Sequence, residues 1–215
     1  MKNKLDTEER IVQVALEMFN KTGVEYVGMR ELAAALDMRI GNLTYYFPTK
    51  DDLVNRLSID LAEENNKTIL PLDELTMKGF FEMLRQVFHN HLKYRCLMLS
   101  FVHILERNAI ISKRYGKIQS KRNETWANNV LALQKGKYIA TNNQSEIDFL
   151  VSTIALIARF WISEATISYK GQSEQFQITH YLNMIARIFM PYATSKGRKD
   201  LEELMKNKES MSNEQ

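Results

Sequence analysis

The chain has 215 residues, 45% of them hydrophobic, 26% charged, and a formal net charge of +3. That is enough chain and enough apolar material for one large or two small globular domains, and it excludes a wholly disordered polypeptide. Few prolines and glycines beside abundant Leu, Ala, Met, Glu, Lys and Arg favour an all-α fold, while a pI near 8.8 permits a polyanionic partner without demanding one.

The first ten residues, MKNKLDTEER, lack the apolar run of a secretory signal, so the expected location is the cytoplasm. The most apolar run, FLVSTIALIA at 149–158, is too short to span a bilayer and reads as a buried helix, with no membrane partner expected. Cys96 is the only cysteine, which excludes an intramolecular disulfide.

The spacing of Ile11, Val14, Ala15 and Met18 predicts a first helix with one buried face. Asp6 and Glu9 can form a capping box at its start, and Gly23 suits its left-handed stop. MRELAAAL at 29–36 predicts a short second helix with Leu32, Ala33 and Leu36 on one side, followed by a turn at Asp37 and Met38.

RIGNLTYYF at 39–47 predicts a third short helix. At 100° per residue Ile40, Leu43 and Phe47 share a narrow arc with Thr44 at its border, while Gly41, Asn42 and Tyr45 point away with Arg39 and Tyr46 at the flank. An outward face with one positive charge, hydrogen-bonding groups and a glycine suits entry into a DNA major groove.

Pro48 ends that segment, and Thr49 with Asp52 makes a capping-box signal for a fourth helix striped by Leu53, Leu57 and Leu61. Lys50 in its first turn is placed for a phosphate. Long helices come next at 73–94, 97–107, 110–134, 144–170 and 173–192, and the polar stretch from 194 reads as a frayed end. The last two long helices carry more apolar surface than one small bundle needs, which predicts a homodimer interface built from them.

The span 7–57, and above all G-N-L-T-Y-Y-F-P-T-K-D-D-L at 41–53, resembles the helix-turn-helix domain of the TetR family of transcriptional regulators. Lys21 through Gly23, Met29 to Ala33 and Gly41 to Leu53 carry the likeness. It implies a DNA-binding domain at 1–50, a connecting helix at 51–69, and a helical ligand-binding and dimerisation domain at 70–193, with a flexible tail at 194–215. It also implies contacts to a palindromic double-stranded operator from Arg30, Arg39, Gly41, Asn42, Thr44, Tyr45, Tyr46 and Lys50, in a repressor released by a small, largely apolar or aromatic ligand. This chain departs from the family pattern at four places. Gly28 stands where Ser or Thr is usual, Asp37 replaces the turn glycine, Arg39 and Ile40 replace a Ser-Lys pair, and Thr44 replaces the first tyrosine of the motif. Residues 1–50 hold seven Lys or Arg and seven Asp or Glu, so placement rather than excess charge must carry DNA affinity.

For the ligand, His91, Phe101, His103, Trp126, Phe160 and Trp161 are the candidate lining residues, amphipathic or aromatic groups in apolar surroundings. His89 and His91, two apart on a helix, point about 200° apart and cannot chelate one ion. No metal, cofactor or catalytic constellation is expected, which leaves an all-α ligand-binding protein or enzyme retaining the helix-turn-helix as scaffold as the alternative.

Overall fold

The computed structural model describes residues 4–206, with side chains from residue 7 onward. The first helix already begins at Lys4, so Asp6 lies inside it and the expected capping box of Asp6 and Glu9 does not mark its start. Among those described there are eleven α-helices and no strand, only an isolated antiparallel bridge between Ile139 and Ala193. Two compact units share the chain, the first built from residues 1–66 and 90–116, the second from 67–89 and 117–215.

The first unit holds α1 (Lys4–Thr22), α2 (Met29–Ala35), α3 (Ile40–Tyr46), α4 (Lys50–Asn66), α6 (Arg95–Leu99), α7 (Phe101–Arg107) and the start of α8 (Ala109–Lys135). The buried face of α1 is Ile11, Val12, Ala15, Leu16 and Phe19. The expected stripe is therefore rotated: Val14 and Met18 are only half-buried, because the larger Phe19 and Leu16 take the interior positions. Leu53, Leu57 and Leu61 of α4 are buried as expected. Each such side chain contributes about 1.5–3 kcal/mol of transfer free energy.

Local chemistry sets the ends of these helices. Gly23 stops α1 at φ +102, its N–H bonded to the Phe19 carbonyl at 2.8 Å. After α2, Met38 N–H reaches the Ala33 carbonyl at 3.0 Å and Asp37 N–H the Ala34 carbonyl at 3.1 Å, the bond pair of a Schellman stop. Asp37 holds the left-handed position at φ +51 that glycine usually fills. At the start of α4, Asp52 Oδ2 accepts from the Thr49 N–H at 2.9 Å while Thr49 Oγ1 accepts from the Asp52 N–H at 3.2 Å, the expected capping box. The helix expected at 97–107 is interrupted: Ser100 ends α6 and starts α7.

In the second unit α5 (Met77–Lys93, of which 77–89 belong here), the rest of α8, α9 (Gln144–Ser168), α10 (Glu174–Phe189) and α11 (Ser195–Lys206) surround an aromatic core. Phe88 stacks on Trp161 at 4.8 Å between ring centroids, and Phe80 meets Phe189 edge-on at 5.5 Å. Thr76, Asn143, Ser173 and Thr194 each cap a helix through the side-chain oxygen. Thr76 explains why α5 begins at Met77 and not at 73. The apolar run at 149–158 is part of a 25-residue helix, long and apolar enough by composition to cross a membrane. Within the unit α9 buries eight of its side chains, Trp161 among them, and leaves others, including Phe149, Leu156 and Ile167, exposed.

The expected frayed end is corrected by α11. Its Leu201 is fully buried, and Gly197 lies so close to the loop before α9 that a Cβ there would stand 1.9 Å from the Tyr138 carbonyl oxygen. Leu201, Leu204 and Met205, at i, i+3 and i+4, form a short apolar stripe in an otherwise polar, charged segment, and the close backbone approach at Gly197 adds to it.

Candidate nucleic-acid interface

Helix α3 is held by its inner face. Leu43 is fully buried and Phe47, its C-cap, is nearly so, which locks the rotation of a helix too short to be stable alone. Ile40 does not join them: it is 41% exposed and Thr44 is only half-buried, so the expected anchor of Ile40, Leu43, Thr44 and Phe47 rests on two residues. The reason is position, since Ile40 is the first residue of α3 and lies over its open end.

The opposite face is open. Arg39, Gly41 and Asn42 are exposed and Tyr45 is 69% exposed, with its ring edge-on to half-buried Tyr46 at 5.3 Å. A Cβ at Gly41 would meet nothing within 4 Å. Packing inside the chain therefore does not require glycine there. Arg30, near the start of α2, is exposed, and neither it nor Arg39 enters an ion pair among the described residues. Two guanidinium groups are left with all their donors for an outside acceptor.

Thr44 and Lys50 behave differently from expectation. Thr44 Oγ1 donates back to the Ile40 and Gly41 carbonyls at 3.1 and 3.3 Å, so its hydroxyl serves the helix itself. Lys50 turns its ammonium onto the Val24, Glu25 and Val27 carbonyls at 2.9, 3.3 and 3.3 Å. Three donors meet three acceptors, and the lysine staples the α1–α2 loop to α4 instead of presenting a free charge to phosphate. Sequence spacing gave no sign of this, because the loop carbonyls lie 23 to 26 positions away.

The interface is fastened to the rest of its unit by polar clamps. Arg56 of α4 binds Glu8 at 2.6 Å and Asp60 at 2.8 Å, and also binds Glu9. Burial alone would lower its pKa, but the hydrogen bonds and charges of Asp60 and Glu9 outweigh that and raise it. The side chain of Asn20 joins the end of α1 to α6, donating to the Lys93 carbonyl at 2.8 Å and accepting from the Cys96 N–H at 3.0 Å. Ser100 Oγ donates to Glu25 Oε2 at 3.0 Å. Arg114 of α8 donates to Asn55 and Ser58 of α4, and desolvation lowers its pKa.

A profile of the TetR_N family, described as bacterial regulatory proteins of the tetR family, matches residues 11–57, and a profile described as bacterial transcriptional repressor matches residues 62–201. Together they span α2 and α3 and nearly all of the C-terminal helices. The chain belongs to the TetR family. A TetR-family transcriptional regulator from Marinobacter aquaeolei VT8 shares this fold at a TM-score of 0.87 and 18% identity, over 94% of this chain and 98% of that one. Salmonella enterica GusR is similar at a TM-score of 0.64 and 16% identity, over 87% of this chain and 97% of that one, and the ketosteroid transcriptional regulator KstR2 of Mycobacterium tuberculosis at 0.61 and 13%, over 88% and 96%. The probable HTH-type transcriptional regulator YttP of Bacillus subtilis is 27% identical over 93 residues, 43% of this TetR-family chain and 45% of that protein. The match thus spans under half the length of that curated relative.

The six residues expected to line a ligand pocket fall in different units of the TetR-family fold. His91, Phe101 and His103 belong to the first; Trp126, Phe160 and Trp161 to the second. Trp161 is 1% exposed and stacked on Phe88, Trp126 packs edge-on to Phe80 at 6.1 Å, and Phe160 lies under the Arg159 guanidinium at 5.9 Å. Phe101 meets Tyr115 edge-on at 4.9 Å and His91 is buried. His103 alone of the six is among the residues lining a cavity of about 190 Å3 in the first unit, together with Val24, Glu25, Lys50, Asp51 and Arg107. Among the described residues no group of three or more His, Cys, Asp or Glu could hold a metal ion.

Proposed function

We propose that this chain is a homodimeric transcriptional repressor that grips a palindromic operator through α2 and α3 and is released from it by a small ligand. The observation that carries this reading is the two-sided build of α3. Its inner face is occupied by Leu43 and Phe47, while Arg39, Gly41 and Asn42 stand exposed with no packing role. Arginine can contact guanine and asparagine adenine in bidentate fashion, each worth about 1–3 kcal/mol of discrimination. Arg30 and the tyrosines Tyr45 and Tyr46 supply backbone or thymine-methyl contacts, and Lys50 supports the site by holding the α1–α2 loop.

Dimerisation is supported by α9. Phe149, Leu156 and Ile167 remain 53%, 56% and 82% exposed, and at steps of seven and eleven residues they return to one helix face. Met184 of α10 is 41% exposed. A second copy of the same two helices is the proposed cover.

Selection of purified protein against a random duplex library, then anisotropy titrations of the winner over a salt series, tests the reading. A palindromic winner with half-sites one or more helical turns apart is expected, with affinity falling about 0.9 log units per log salt for each phosphate contact. Arg39→Ala and Asn42→Ala should each weaken binding while leaving the melting temperature unchanged. Weak binding that ignores salt and both substitutions overturns it.

A further inference from the structure

The cavity in the first unit has a mostly apolar lining surface, but unlike the aromatic pocket that the sequence suggests for an effector it carries charged side chains of both signs in its wall. Its wall comes from the α1–α2 loop (Val24, Glu25), the first turns of α4 (Lys50, Asp51, Val54), and α7 with its C-cap (His103, Ile104, Arg107, Asn108). Three apolar residues line it against six polar ones. His103 and Arg107, four apart on α7, project from one face of that helix. Neither they nor Asp51 has a hydrogen-bond or ion-pair partner among the described residues. Glu25 commits Oε2 to Ser100 at 3.0 Å and has Oε1 open.

We propose that this cavity binds a small zwitterion, an amine-bearing carboxylate of free amino-acid size. Volume sets the size: about 190 Å3 holds the space of roughly six waters at about 30 Å3 each, well below the range of about 300–1,000 Å3 of pockets for drug-sized ligands. Charge sets the class. A simple anion entering beside Arg107 and His103 would also face Glu25 and Asp51, and a simple cation would face Arg107 and Lys50. A molecule carrying both signs meets complementary groups at each end: its carboxylate on Arg107 and His103, its ammonium on Asp51 and the free oxygen of Glu25. Lys50, fastened to three loop carbonyls, acts as wall and not as ligand.

A molecule there touches the loop that leads into α2 and the helix that comes after α3, while its other end touches α7. Its binding would be coupled to the pose of the recognition segment. That regulatory consequence rests on the DNA-binding reading, whereas the binding itself does not.

The full chain, without DNA, is titrated by calorimetry and thermal shift with the free L-amino acids, and in parallel with acetate, propionate, methylamine and inorganic phosphate. At least one amino acid should raise the melting temperature by about 5 °C at a hundredfold excess over its Kd. Arg107→Ala and Asp51→Asn, both at exposed positions, should each weaken that ligand tenfold or more. Operator affinity should then change with the ligand in the wild type and not in Arg107→Ala. No response to any amino acid overturns the proposal, as does equal binding of a lone acid, amine or phosphate, or binding that ignores both substitutions. A chain that binds an amino acid yet never binds DNA would keep this site and sink only the regulator.

Discussion

Replacing Gly41 by alanine separates folding from DNA recognition. A Cβ at this position has open space within 4 Å, and Gly41 is the second residue of the seven-residue α3 with ordinary helical φ. Alanine is favoured over glycine in a helix by up to about 1 kcal/mol, so the variant should be at least as stable as the parent. For a chain of this size each kcal/mol moves the melting temperature by about 2–4 °C, which calorimetry resolves. Bound DNA, by contrast, would meet the new methyl on the face that also carries Arg39 and Asn42. Pushing α3 out far enough to lose one bidentate base contact costs about 1–3 kcal/mol, or roughly 5- to 150-fold in affinity. Anisotropy on the selected operator reads that loss. A variant that binds as tightly as the parent would refute the close approach of α3 to DNA, and a lower melting temperature would refute the open space around Gly41.

Gly197→Ala should have the opposite signature, a stability loss of about 1–3 kcal/mol from the clash with the Tyr138 carbonyl, seen as earlier exchange of the α11 amides. Asp37→Gly relieves a left-handed residue at φ +51 and should stabilise the chain by about 0.5–1 kcal/mol in denaturant titrations, whereas Asp37→Val should destabilise it. Burial pushes the Cys96 thiol up to about 12, so at pH 8 only about one molecule in ten thousand carries the thiolate. Iodoacetamide should leave the native protein unlabelled for hours at that pH and label it promptly in denaturant; rapid native labelling would contradict the burial.

What the sequence by itself determined is local. The capping box at Thr49 and Asp52, the stop at Gly23 and the left-handed turn at Asp37 are written in residues no more than five positions apart, where side-chain and backbone chemistry act without help from the fold. The inward set of Leu43 and Phe47 and the outward set of Asn42 and Tyr45 follow from helical geometry alone, which is why the exposed face of α3 was legible. Tertiary structure decided the rest. The three carbonyls that hold Lys50, the pairing of Arg56 with Glu8 and Glu9, the close approach of Gly197 to Tyr138 and the joining of Glu25, Asp51, His103 and Arg107 around one cavity all link residues far apart in the chain. Such contacts depend on which loop or helix end happens to face a side chain once the helices have packed, and helical periodicity carries no information about that.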